Sequence, residues 1–131
     1  MRMMLWAGAA AITLLALTGC DRANSATAET ASGSNSHDFA GRELSVDAEG
    51  SVRVKLEAGE EGTVKLVWKT RWTGWKHHQE AWDGDRMALS FDCAEDCAAD
   101  YTIAVPPGTL VKVSGAAGPV PCPEELNCTQ G

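Results

Sequence analysis

The chain has 131 residues, eleven of them Lys or Arg and eighteen Asp or Glu, for a net charge of −7 at pH 7. That length holds one small domain. The acid excess argues against nucleic acid as a partner, because binding phosphates requires a basic face that displaces counterions.

Residues 1–19 have the three parts of a secretory signal: Arg2 as the charged start, an apolar run from Met3 to Leu17, and small residues at the cut site. The run falls short of the roughly 20 apolar residues that a spanning helix needs. Its end, Leu17-Thr18-Gly19-Cys20, resembles the lipobox of the bacterial lipoprotein signal family. In that family diacylglycerol is joined to the cysteine, and cleavage leaves it as the acylated first residue. The resemblance implies lipidation of Cys20 and a protein held by its N-terminal lipid on the extracytoplasmic face of the cell membrane. Without residues 1–19 the chain has 112 residues and a net charge of −8.

Residues 20–38, with the sequence DRANSATAETASGSNSHD after Cys20, contain almost no large apolar side chain and read as a flexible tether. A β domain is then expected over 39–120, followed by a cysteine-containing tail over 121–131.

From Phe39 onward the apolar residues recur with period two, the mark of strands with one buried face. Leu44 and Val46 alternate with polar neighbours, and Glu49-Gly50 marks a turn before Val52, Val54 and Leu56. Gly59 and Gly62 bracket a second turn. In the longest run Val64, Leu66, Trp68, Thr70 and Trp72 point one way, and Lys65, Val67, Lys69, Arg71 and Thr73 the other. Residues 74–80 lack the alternation and read as a loop. Asp83-Gly84-Asp85 marks a hairpin turn before Met87, Leu89 and Phe91. A tight bend over Cys93 to Cys97 precedes Tyr101, Ile103 and Val105, which Pro106-Pro107-Gly108 ends. Val111 and Val113 form a last short strand.

Six or seven short strands with closely spaced turns predict an all-β fold, a small antiparallel β-sandwich or β-roll. The order of the acidic Gly turn, the strand with Asp100-Tyr101-Thr102-Ile103, Val105-Pro106-Pro107-Gly108-Thr109 and Val111-Lys112-Val113-Ser114-Gly115 resembles the "putative adhesin" domain family of bacterial envelope proteins. That resemblance implies an all-β domain that interacts at the cell surface, and the lack of nucleophile and base motifs leads to the expectation of a non-enzymatic protein. The Gly-rich repeats of the family are nearly missing, since the chain passes from Gly118-Pro119-Val120 into Pro121-Cys122-Pro123.

Cys93, Cys97, Cys122 and Cys128 form an even set in an exported chain and are expected as disulfides. Three pairings are possible. The short loops favour Cys93 with Cys97 and Cys122 with Cys128, although spacing alone does not decide. Zinc is disfavoured by the Cys-x3-Cys and Cys-x5-Cys spacing.

The segment 68–82, WKTRWTGWKHHQEAW, interleaves aromatic and basic residues, and no acid occurs between Thr63 and Gln79. Trp72, Trp75, Lys76, His77 and Trp82 are therefore candidates for contact with an acidic envelope polymer, a protein partner, a glycan or a small molecule. Trp68 and Trp72 also fit the buried face of the long strand. Adjacent His77 and His78 would point to opposite faces of a strand, which argues against a metal site. No nucleophile, phosphate-loop or cofactor motif is found.

Overall fold

The computed structural model describes residues 27–131, so the signal peptide and Cys20 lie outside the described residues. These residues form an all-β fold of seven strands: β1 (Glu29–Asp38), β2 (Glu43–Gly50), β3 (Val52–Ala58), β4 (Thr63–Asp83), β5 (Arg86–Val105), β6 (Leu110–Ser114) and β7 (Asn127–Gln130). They make one sheet in the order β1-β4-β5-β2-β6-β7, with β3 also paired to β5.

The sheet doubles over on itself. Ser51, between β2 and β3, donates its N–H to the Phe91 carbonyl (2.9 Å) and accepts from the Ala99 N–H (3.0 Å). Residues 92–98 of β5 must therefore leave and return within the width of one residue. Residues 71–77 of β4 follow them, because His78 pairs with Phe91 and Thr70 with Ala99. The β4–β5 ribbon thus arches, with register shifts between Arg71 and Thr73 and between Thr73 and Lys76. Gly50 and Gly74 permit the bend, at φ 73° and 85°, in the left-handed region that other residues rarely enter. One layer holds β1, 63–70 of β4, 99–105 of β5 and β3. The other holds 78–83 of β4, 86–91 of β5, β2, β6 and β7.

Between the layers lie Leu44, Val46, Val52, Leu66, Met87, Leu89, Phe91, Tyr101, Ile103 and Val111, all at most 2% exposed. The period-two positions expected to be apolar and inward are the ones buried. Pairing differs from the expected antiparallel pattern: β1–β4 and β4–β5 are antiparallel, whereas β2–β5, β3–β5, β2–β6 and β6–β7 are parallel. The cause is at Glu49-Gly50, where the chain bends between layers instead of reversing within one.

Three further expectations are corrected. Residues 29–38, placed in the tether, form β1 and pair along their whole length with β4. The domain therefore begins before Phe39. Residues 74–80, read as a loop, belong to β4, and the tail over 121–131 supplies β7. β1 escaped notice because its inward residues are small or polar. Gly33 pairs with Trp68, whose indole lies over the glycine and fills the space a side chain would take. Asn35 donates from Nδ2 to both carboxylate oxygens of Glu80 (2.9 and 3.0 Å) across the layers. His37 stacks on Trp82 with ring centroids 4.7 Å apart.

The Gly33 contact generates a test. A valine at Gly33 meets the Trp68 ring, so Gly33→Val is expected to destabilise by about 1–3 kcal/mol, as overpacking does. Ser34→Val, on the outward side of the same strand, is expected to stay within about 0.5 kcal/mol of the parent. Thermal melts of the two variants check this.

Candidate functional site

The aromatic and basic residues of 68–82 follow the arch, which distributes them. Trp68 and Trp72 lie on the inward face, Trp72 at 8% exposure and Trp68 half-buried. The Lys76 ammonium sits 4.2 Å from the centre of the Trp72 ring and covers it from solvent, a cation–π contact that closes the arch end of the core. Trp82 is also half-buried, held between His37 and Phe39 at the other end of the molecule.

Trp75 differs. It follows Gly74 at the top of the arch, where both strands lose register, and remains 62% exposed. His77 is exposed beside it. Of the five candidates, Trp75, Lys76 and His77 are exposed, Lys76 on the side of Trp72, while Trp72 and Trp82 belong to the interior and its margin. The described tryptophans do not form a continuous indole platform.

Under the apex, residues 92–98 are closed by the Cys93–Cys97 disulfide, with Cα atoms 5.5 Å apart. Thr73 Oγ1 donates to the Asp96 carboxylate at 3.4 Å, linking the two strands of the arch. Cys122 is bonded to Cys128, Cα atoms 6.1 Å apart, which fastens the segment before β7. These are the two short-loop pairings.

His78, one residue beyond the exposed His77, turns inward. Its Nε2 shares a 2.7 Å hydrogen bond with the Tyr101 hydroxyl, and its ring meets Trp68, Phe91 and Tyr101 edge-on. Burial lowers the His78 pKa from its ordinary 6.5; the Glu80 carboxylate opposes this and the Lys76 ammonium adds to it. Burial raises the Tyr101 phenol above its ordinary value, and Glu80 raises it further. Both groups are thus neutral near pH 7 and suited to bonding each other between the layers. This pair was not singled out from sequence: the inward phase of Tyr101 was available there, but that of His78 was not, because 74–80 read as a loop. Among the described residues no three His, Cys, Asp or Glu side chains are grouped to hold a metal ion.

Outside the arch, the outer face of the second layer has a shallow depression of about 590 Å³ over Ala81, Ala88 and Ser90, bordered by Asp47, Glu49 and Gln79. Its lining mixes small side chains with the carboxylates of Asp47, Glu49 and Glu80.

No family model matches the chain, and no curated protein matches it. The adhesin likeness drawn from its motifs therefore stays a resemblance. Two similar solved structures are a "putative adhesin" from Parabacteroides merdae ATCC 43184 and a "putative cell adhesion protein" from Clostridium sporogenes ATCC 15579. The first is 10% identical with a TM-score of 0.42, over 66% of this chain and 36% of that one. The second is 11% identical with a TM-score of 0.44, over 76% of this chain and 57% of that one. This chain thus spans between about a third and somewhat over half of their lengths.

Two outcomes follow from these placements. Trp72→Ala is expected to cost about 3–5 kcal/mol, as loss of a buried indole does, while Trp75→Ala stays within about 0.5 kcal/mol. Denaturant melts separate the two. The lowered His78 pKa means that the folded state binds its proton less tightly than the unfolded chain. Its contribution is therefore complete above pH 6.5 and is lost as pH falls through that value toward the folded pKa. Melting temperature should drop between pH 7.5 and 5.5, His78→Gln should flatten that drop, and NMR titration of the His78 ring should give a midpoint below 6.5.

Proposed function

We propose that this chain is a lipid-anchored, non-enzymatic protein of the cell envelope, held by Cys20 on the extracytoplasmic face of the membrane. Its β domain engages an envelope component, an acidic polymer or a protein, through Trp75, Lys76 and His77. The observation that carries the contact surface is the 62% exposure of the Trp75 indole on a disulfide-closed arch. A large amphipathic ring held on a braced element offers contact area at little entropic cost.

Export is supported by the signal-like N-terminus, the lipobox resemblance and two disulfides, which persist in oxidising compartments. The non-enzymatic reading is supported by the use made of His78 and Tyr101. Both are spent on a hydrogen bond between the layers. A second reading, a glycan module, draws on the same indole, which is free to stack on a sugar ring. An uncharged oligosaccharide that quenches Trp75 fluorescence would favour it.

Two measurements check the proposal. Cys20→Ser should leave the membrane fraction or accumulate unprocessed, and a normally processed, membrane-bound Cys20→Ser protein would refute the anchor. Trp75→Ala should fold as the parent does and lose retention on the organism's own envelope fraction. Undiminished retention would remove the arch as the contact surface.

A further inference from the structure

The charges of this acidic domain are sorted between its two outer faces. On β4, Lys65, Lys69 and Arg71 point outward from the first layer, and on β3 Arg53 and Lys55 do the same. Registers place them on one surface: Lys69 pairs with Asp100 and Asp100 with Arg53, while Val67 pairs with Thr102 and Thr102 with Lys55. Five of the eleven basic residues of the chain thus share one face, all exposed, around an apolar Val67 that is 42% exposed.

Four carboxylates border the same face, Glu60 among them beside Ser36, Lys65 and Glu57. Asp100 lies between Lys69 and Arg53, whereas Glu57 and Asp38 lie at the end remote from the arch. The other thirteen acids among the described residues are elsewhere. Among the described residues Lys112–Glu43 is the single ion pair, so none of the five cations is paired at contact distance with another described residue.

The rest of the face carries small side chains. β1 contributes Ser32, Ser34 and Ser36, directly beside Lys69, Val67 and Lys65. β1 is also where the chain enters the domain. Glu29 pairs with Trp72, and Thr30 with Arg71, so the entry point adjoins the most cationic corner. Only residues 21–28 separate Cys20 from β1, a reach of at most about 30 Å at full extension.

From these placements we infer that the outer face of β1, β4, β5 and β3 docks on the anionic lipid headgroups of the membrane. The orienting role rests on the proposed lipid at Cys20; the charge recognition does not. Charge complementarity and the short connection single out this occupant. Each Lys or Arg near an anionic surface contributes favourably within about a Debye length, some 8 Å at physiological salt. The outer face of the second layer, which carries Glu43, Asp47, Glu49 and Asp83, lies at least the roughly 10 Å sheet spacing farther away and is largely screened. Docking would leave that second layer turned away from the membrane.

The test uses the mature chain carrying Cys20→Ser, so that binding owes nothing to a lipid. It should sediment with phosphatidylcholine vesicles containing phosphatidylglycerol, not with phosphatidylcholine alone, and detach as salt rises. Lys69→Gln with Arg71→Gln should weaken binding about fivefold per charge removed. Arg86→Gln, at the tip of the β4–β5 hairpin, should leave it unchanged. Equal binding to both vesicle types, or indifference to the double substitution, would overturn the inference. So would binding to soluble polyphosphate without binding to anionic vesicles, which would assign the face to a polymer. The Cys20→Ser fractionation of the preceding proposal fails or succeeds separately, since it reads the anchor and not the face.

Discussion

The structure depends on the bend at Ser51. A single residue on the inside of the fold is matched by 92–98 on β5 and 71–77 on β4, because both ends of the β5 excursion are hydrogen-bonded to that one residue. A sheet can double over in this way only if the inner strand turns within one residue while the outer strands take a longer path. Gly50 meets the first requirement: a Cβ there would strike the Phe91 carbonyl. The arch, closed by Cys93–Cys97, meets the second. A short disulfide loop removes less chain entropy than a long one, about 2 kcal/mol for five residues. Its larger effect here is to hold the excursion in the narrow form that lets β2, β3 and β5 remain paired.

Once the sheet is doubled, the second half of β4 lies opposite β1 and the first half of β4. That contact explains why the interior contains so many ring systems. His78 reaches Trp68 and Tyr101 from the opposite layer, and Trp82 reaches His37. Buried polar groups in this region find partners, His78 with Tyr101 and the Thr70 hydroxyl with the Ala31 carbonyl, as expected where an unpaired buried polar atom is costly. The Trp68 Nε1 is the exception, buried without a partner among the described residues.

The same bend governs what is presented to the surroundings. It lifts Trp75 to an apex, where the indole has no layer to pack against, and it leaves Lys76 to cover Trp72. It also places β3 and the first half of β4 on either side of β5, which gathers cations from two distant stretches onto one face. Net charge describes the whole chain and conceals such sorting. An acidic protein can carry a cationic face wherever strands with basic outward residues are brought side by side.

The sequence by itself determined the all-β class, most strand positions and the face of each strand, because side chains alternate along a strand with period two and burial acts on every second residue. Trp72 as core, the outward phase of Lys65, Lys69 and Arg71, and the hairpin at Gly84 were legible for that reason. Strand neighbours were not, since backbone hydrogen bonds carry no residue code: parallel β2–β5 and β3–β5 pairing rests on a bend that looks like a reversing turn. β1 was hidden because its inward positions are filled by side chains from elsewhere, the Trp68 indole over Gly33 above all. Residues 74–80 lost their alternation where the ribbon arches, and so resembled a loop. Only the tertiary structure decided that Trp75 stands at the apex of an arch while Trp82 is covered, and that five cations share a face, because these follow from which strands meet when the sheet folds over.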